Sequence, residues 1–165
     1  MMGMGSAFGE LFLRDAVYVI DAQSQEEVFD QLGERLMAAG LVREGYLSHV
    51  KRREATYPTG LSMAPVDPRF PNIAVPHTET EYSTCTCLVP VKLVNPVTWH
   101  DMIDVDRTFE VGFLFAILNV DKSSEAGLLA VVMDFINSND PDELVDFFAL
   151  DDPGRIYDFL VSHSV

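Results

Sequence analysis

The chain has 165 residues and 48% of them are hydrophobic, which suits one globular domain with a sizeable core. Its 26 acidic residues outnumber 11 basic ones and give a formal charge of −15, which disfavours nucleic acid and anionic membranes as partners. A basic protein partner fits this charge better, because opposite charges speed encounter.

Residues 1–14 are predicted to form a short, loosely held N-terminal segment, and residues 15–165 a single domain. The first ten residues lack the basic flank and the apolar stretch of a secretory signal. No apolar run reaches the roughly 18–20 residues that a membrane span needs. We therefore expect a cytoplasmic protein without a membrane-inserted part.

The N-terminal half of the domain begins with a strand and two helices. Ala16–Ile20 reads as a strand, and a capping box of Ser24 and Glu27 begins a helix that Gly40 ends. A second helix is expected over Glu44–Ala55. Its cations, Lys51, Arg52 and Arg53, cluster near the C-terminus, where the last carbonyls carry partial negative charge.

The middle of the chain reads as a loop followed by three strands. Residues 57–72 hold four prolines and a glycine and are predicted to be a loop, and a short strand over 73–75 ends at Pro76. The next strand, near residues 84–93, contains Pro90, which favours a bulge or a sheet edge. After a connection over 94–108, the apolar run Phe109–Leu118 is typical of a strand buried on both faces.

Three helices are predicted at the C-terminal end, beginning at Ser123 or Ser124, at Asp140 and at Asp152. The last two have an aspartate N-cap followed by proline at the first helical position. Strands intermixed with helices predict the α/β class: one domain with a mixed β-sheet covered by helices.

The two cysteines, Cys85 and Cys87, lie two residues apart and are expected on one face of a strand. Free thiols suit a reducing cytoplasm. We interpret them as small, partly buried strand residues, because a metal site would need further ligands at suitable spacing.

Three of the four histidines have ordinary surroundings in the sequence. His49 lies on a charged helix and His163 in the terminal tail, so both are expected to be solvated. His100 lies beside Asp101, Asp104 and Asp106, but the spacing, the glycine and the closing glutamate of a calcium loop are missing. A solvated acidic loop is the prediction there.

His77 differs because it follows the strand end directly. Pro76 fixes its own φ and biases Val75 toward extended backbone, so the imidazole is presented from a stiff strand end. Sites of α/β folds lie at such ends. Imidazole is nucleophilic when neutral and a good leaving group when phosphorylated, although an ordinary loop histidine would fit this local pattern as well.

A second motif upstream gives this histidine a specific context. Arg53–Glu54 is followed by the turn Tyr57–Pro58–Thr59–Gly60 and then by the strand end Ile73–Ala74–Val75–Pro76–His77. Together these motifs resemble the enzyme IIA component of the fructose–mannitol family of the bacterial sugar phosphotransferase system. The order of elements over residues 15–163 is also similar to that family.

The resemblance implies the mannitol-type three-layer sandwich and a phosphotransferase that works through a phosphohistidine. His77 would accept a phosphoryl group from the histidine phosphocarrier protein and pass it to a IIB component, for uptake of a sugar or polyol. Neither a metal nor another cofactor is required if an arginine and N–H groups hold the phosphoryl oxygens. Arg53 and the Thr59 hydroxyl are the candidate phosphate-stabilising groups, with a helix-end charge and a structural turn as the alternatives.

The sequence departs from the mannitol branch at one position. That branch has a second histidine at the start of the helix after the long apolar strand, here nearest Ala126, and no histidine is present. The galactitol-like branch also lacks it, which favours a galactitol or other polyol type. Candidate residues for an apolar partner-binding patch are Met63, Phe70 and Met102.

Two other functions remain open from the sequence. A free-standing regulatory IIA-like protein of the nitrogen type would have the same motifs and would signal through phosphorylation, so genes for IIB and IIC components nearby would favour transport. A non-catalytic α/β binding module would carry the Pro-His pair by coincidence, and phosphorylation assays would separate it from both.

Overall fold

The computed structural model describes residues 9–163. The strands of its sheet are β1 (Tyr18–Ile20), β2 (Gly60–Leu61), β3 (Asn72–Ala74), β4 (Cys87–His100) and β5 (Thr108–Leu118). The helices whose bounds are described are α1 (Gln25–Ala38), α2 (Tyr46–Thr56), α3 (Glu125–Ser138), α4 (Pro141–Phe148) and α5 (Pro153–Ser162). Short 3-10 turns lie at Thr80–Tyr82 and Lys122–Ser124.

The described residues form one five-stranded mixed sheet in the order β1-β4-β5-β3-β2. β1 is parallel to β4 and β3 is parallel to β5, whereas β4 with β5 and β2 with β3 are antiparallel. The apolar strand β5 lies in the middle, as the sequence predicted, and its residues 113–118 are all buried.

Helices cover both faces of this sheet. One core cluster packs α1 and α2 against one face, around Phe29, Leu32 and Trp99. The other packs α3, α4 and α5 against the opposite face, around Phe113, Phe135 and Phe147. This gives three layers, helix–sheet–helix, and confirms the predicted fold class.

The helix starts predicted at Ser24, Asp140 and Asp152 are confirmed by their hydrogen bonds, whereas the helix predicted from Glu44 begins at Tyr46. The Ser24 hydroxyl accepts from the Glu27 amide at 3.2 Å, and the Asp140 and Asp152 side chains accept from first-turn amides of α4 and α5. Gly40, with φ of 73°, follows α1 in the left-handed region that a helix stop requires.

The prediction for β4 is wrong in two respects. β4 lies between β1 and β5, so Pro90 is not on an edge strand of the sheet, and the register irregularity falls between Lys92 and Val97. Proline is tolerated because β1 pairs only with residues 91–93, which leaves Pro90 no ladder partner on that side. Residues 94–100, predicted as a connection, continue the strand after this irregularity.

The predicted N-terminal segment, residues 1–14, falls largely outside the described residues. Its last part already belongs to the packed domain: Phe12 is 3% exposed, and the Leu11 carbonyl accepts from the Leu88 amide at 2.8 Å. Within residues 9–163, none of the helices combines the length and the apolar character that crossing a membrane would demand.

Candidate phosphoryl-transfer site

His77 follows β3 at the end of the sheet where β5 also ends. The Ile117 amide donates to the Pro76 carbonyl at 3.0 Å, and the Val75 amide donates to the Thr59 carbonyl at 3.2 Å. The backbone on both sides of the strand end is therefore fixed, which leaves the His77 ring as the group that projects from it. Its side chain is 15% exposed.

The two ring nitrogens of His77 have different neighbours. Nδ1 lies 2.9 Å from the Val75 carbonyl oxygen. A carbonyl only accepts, so Nδ1 must carry the proton, and the lone pair of the neutral ring is on Nε2. Nε2 lies 3.3 Å from Oε1 of Glu125, the first residue of α3.

Arg53 lies near the C-terminus of α2, and its side chain is 29% exposed. One guanidinium nitrogen is 3.7 Å from Glu79 Oε1, and the guanidinium lies 5.5 Å from the centre of the Tyr57 ring. Its Nε is buried and has no hydrogen-bond partner among the described residues. This arginine therefore has donor capacity that the folded chain does not use.

Two neighbouring cavities meet at Arg53. The smaller, of about 140 Å³, is also lined by Glu125, Glu79 and Lys122, together with Thr78 and Thr80. The larger, of about 270 Å³, is lined by His77 and by residues of the Tyr57–Thr59 turn and the β4–β5 hairpin. The structure thus brings Arg53 and His77 to one site, as the sequence predicted.

Thr59, the other predicted phosphate ligand, donates its hydrogen bonds to the Glu54 carboxylate. Its amide donates to Glu54 Oε2 at 2.6 Å and its hydroxyl donates to Glu54 Oε1 at 2.7 Å, while the residue is 2% exposed. The Trp99 indole N–H also donates to Glu54 Oε2, at 3.0 Å. Burial raises the pKa of Glu54, and these bonds oppose that rise.

The turn that carries Thr59 lies close to β4. A Cβ on Gly60 would lie 2.4 Å from the His100 carbonyl oxygen, and the Gly60 carbonyl accepts from the Met102 amide at 2.8 Å. Gly60 thus approaches the β4 backbone more closely than a residue with a side chain could. Glu54, Thr59 and Trp99, called the brace below, hold the turn between α2 and β4.

The remaining histidines lie elsewhere. His49 is half-buried and stacks on Tyr82, with Nε2 2.8 Å from the phenol oxygen, so the prediction that it is solvated is wrong. His163 is also half-buried and stacks on Phe159. His100 is exposed, as predicted, but it ends β4 instead of lying in a loop, and the next residue, Asp101, is buried; His100 Nδ1 lies 2.8 Å from the Val105 carbonyl oxygen.

The cysteines fit the structural interpretation. Cys87 begins β4 and is 2% exposed, and its sulfur lies 3.7 Å from that of Cys85, as expected of side chains on one face. Burial raises the pKa of the Cys87 thiol, which keeps it in the unreactive thiol form.

The chain was compared with known proteins. The model of the family described as "Phosphoenolpyruvate-dependent sugar phosphotransferase system, EIIA 2" matches residues 10–162. The chain belongs to this EIIA family. The galactitol-specific EIIA component of Escherichia coli K12 is 24% identical over 119 residues, which are 72% of this chain and 73% of that relative.

Solved structures of EIIA proteins share the fold. The mannitol IIA of Escherichia coli superposes with a TM-score of 0.69 at 18% identity, over 90% of this chain and 98% of that one. The same protein in a complex with phosphorylated mannitol IIB gives 0.67 at 16% identity, over 92% and 96%. At this identity the likeness supports the fold alone.

Sequence reasoning missed the acidic partner of the histidine in this EIIA chain. It noted the absence of a second imidazole near Ala126, which the structure places exposed at the start of α3. The preceding residue, Glu125, supplies the contact to His77 instead. The only signal in the sequence was that a titratable residue, Glu125, lies next to the position where the second histidine is missing.

The apolar patch candidates also change in this EIIA domain. Met63 and Phe70 are 1% and 6% exposed and belong to the core, whereas Met102 lines the larger cavity with His77. Two exposed apolar side chains line this cavity, Tyr57 (64%) and Val105 (48%), and the more exposed Ile103 (88%) follows Met102 in the chain.

Proposed function

We propose that this EIIA protein carries a phosphoryl group on Nε2 of His77. The observation that carries the proposal is the hydrogen bond of Nδ1 to the Val75 carbonyl, because it directs the ring lone pair to Nε2. Nε2 in turn contacts Glu125, which lines the cavity that Arg53 and Lys122 also line. The nucleophilic atom and the cations are thus gathered at one site.

The chemistry of the transfer needs little beyond this arrangement. The Nε2 lone pair attacks phosphorus and forms the new N–P bond, and the donor nitrogen leaves with the electrons of the old one. Such a transfer depends on positioning and on charge stabilisation of the phosphoryl oxygens. Arg53 supplies a guanidinium on a side chain that is 29% exposed, and Lys122 adds an exposed ammonium.

The family and the net charge support the partners that we propose. We take the histidine phosphocarrier protein as donor and a IIB component as acceptor, in the cytoplasm. The complex of a mannitol IIA with its phosphorylated IIB supports the second partner. The net charge of −15 and the exposed Tyr57, Ile103 and Val105 suit a partner with a basic and apolar face.

For the transported compound we propose a polyol of the galactitol type, with mannitol and fructose as the alternatives. The galactitol-specific relative supports this choice, as does the absence of a histidine near Ala126. The choice of compound is tested by the preferred acceptor. The phosphorylated protein is mixed separately with galactitol, mannitol and fructose IIB components, and it should transfer its phosphoryl group fastest to the galactitol IIB.

The function is tested by labelling with phosphoenolpyruvate, enzyme I and the phosphocarrier. Wild type should gain an acid-labile adduct of about 80 Da, one phosphoryl group. His77→Gln should gain none, because its amide nitrogen has no lone pair available for attack. His100→Gln, a change at an exposed histidine outside the site, should be labelled like wild type. An unlabelled wild type, or a labelled His77→Gln, would contradict the proposal.

A further inference from the structure

The contact between His77 and Glu125 raises a problem for the phosphorylated state. Nε2 and Oε1 are 3.3 Å apart, and both atoms carry lone pairs. Their contact is favourable only while a proton lies between them. A covalent N–P bond is much shorter than this contact, so a phosphoryl group on Nε2 would take the space that the carboxylate now occupies.

The charges in the smaller cavity add electrostatic repulsion to this steric overlap between Glu125 and a phosphoryl group. Its lining contains two cations, Arg53 and Lys122, and two carboxylates, Glu79 and Glu125, so the cavity is electrically balanced in the resting protein. A phosphoryl group adds roughly two negative charges. The nearer carboxylate, Glu125, must then turn away, and its side chain is already 35% exposed at the start of α3.

We propose that Glu125 competes with the phosphoryl group for Nε2 of His77 and thereby sets how readily this protein gives the group away. This inference rests on the proposed carrier function. In the unphosphorylated protein the carboxylate accepts a hydrogen bond from Nε2 whenever the ring is protonated, and in the phosphorylated protein it repels the phosphoryl charge. A carrier between two proteins benefits, because a phosphoryl group that is held too tightly is not passed on.

Atoms and charges balance in the exchange. The ring reacts in its neutral form: any proton held between Nε2 and Oε1 passes to bulk water before the Nε2 lone pair forms the N–P bond. The donor nitrogen keeps the electron pair of the bond that breaks. The proton on Nδ1 stays in its bond to the Val75 carbonyl throughout, so the ring keeps its orientation.

The test is a competition in one tube. Wild type and Glu125→Gln, distinguished by mass, share a limiting amount of phosphoenolpyruvate through catalytic enzyme I and phosphocarrier until the ratio of phosphorylated forms is constant. Because like charges this close repel strongly even near a protein surface, Glu125→Gln should hold roughly tenfold more of the phosphoryl group than wild type at equal concentrations. Glu125→Ala should shift the ratio in the same direction.

The matched control is Glu81→Gln, which removes the same charge from an exposed residue of the neighbouring 3-10 turn. It should share the phosphoryl group equally with wild type. In the unphosphorylated protein, the ring ¹⁵N resonance of His77 Nε2 should change in Glu125→Gln and stay unchanged in Glu81→Gln. This signature reports the Nε2–Oε1 contact and not the stability of α3.

The outcomes separate the two proposals. If wild type is never phosphorylated, the carrier function fails and Glu125 has nothing to compete with. If wild type and Glu125→Gln are phosphorylated equally, the carrier function stands and the role of Glu125 is contradicted. An equal shift in Glu81→Gln would also overturn it, because net charge alone would then explain the effect.

Discussion

Two acidic groups in this EIIA domain lie in opposite situations. Glu54 is 4% exposed and accepts three hydrogen bonds of 2.6–3.0 Å, two from Thr59 and one from Trp99. Glu125 is 35% exposed and its contact with His77 is 3.3 Å long. Both carboxylate oxygens of Glu54 are hydrogen-bonded, whereas Glu125 has one long contact with His77 that a ligand can replace.

The difference separates a structural cluster from the proposed phosphoryl-transfer site. In the brace, the buried N–H and O–H donors of Thr59 and Trp99 are all hydrogen-bonded to the Glu54 carboxylate. These bonds fix the turn that leads to β2. At the site, Arg53 has a buried Nε without a partner and an ion pair of 3.7 Å to Glu79. Arg53 and His77 line one cavity, so under the proposed carrier function substitutions in the two regions should affect different measurements.

The largest effect is expected in the brace. Glu54→Leu leaves the Thr59 amide and the Trp99 indole N–H buried without an acceptor, which should lower the free energy of unfolding by about 3–5 kcal/mol. Urea unfolding followed by tryptophan fluorescence measures it, since Trp99 is the single tryptophan.

The matched control for this change is Glu54→Gln. Its amide oxygen still accepts from both N–H groups, and the Thr59 hydroxyl can rotate to accept from the new NH₂, so the loss should be only about 1 kcal/mol. Equal losses in the Leu and Gln variants would mean that the brace depends on the charge of Glu54 and not on its acceptors.

The next effect concerns the site. Arg53→Ala should slow phosphoryl transfer from the phosphocarrier by roughly 100-fold, because the developing charge on the phosphoryl oxygens loses its guanidinium. Rapid-quench labelling measures the rate. The free energy of unfolding should change by less than about 1 kcal/mol, since the ion pair to Glu79 is partly exposed and long.

Arg53→Lys keeps the charge and loses the planar fork, so its transfer rate should lie between those of wild type and Arg53→Ala. An unchanged rate in the Ala variant would remove Arg53 from the site. A large fall in stability with an unchanged rate would instead return it to the helix-end role that the sequence left open.

Local patterns in the sequence were sufficient for the parts of the fold that depend on neighbours in the chain. The caps at Ser24, Asp140 and Asp152, and the buried centre of β5, follow from residues within a few positions. The extension of β4 was missed because Pro90 and the Lys92–Val97 irregularity interrupt its pattern.

The parts of the site that were missed depend on distant residues. Trp99 reaches Glu54 across 45 positions, and Glu125 meets His77 because α3 begins where β3 ends. The motifs around Arg53 and His77 predicted which residues lie close together in the fold. No local sequence pattern predicts which hydrogen bonds these residues make. For this reason the sequence assigned the Thr59 hydroxyl to the phosphoryl group, whereas the structure gives its proton to Glu54.

The smallest effect decides between these two roles of Thr59. Thr59→Val keeps the shape and removes the hydroxyl, so one bond to Glu54 is lost while the Thr59 amide and Trp99 still donate to it. The free energy of unfolding should fall by about 1–2 kcal/mol, and Thr59→Ser, which retains the hydroxyl, should lose less.

Phosphoryl transfer by the folded Thr59→Val variant should remain within roughly threefold of wild type, because the substitution changes no charge at His77. If Thr59→Val instead slows transfer as much as Arg53→Ala and leaves stability unchanged, the hydroxyl serves the phosphoryl group, and the boundary between brace and site has to be redrawn through Thr59.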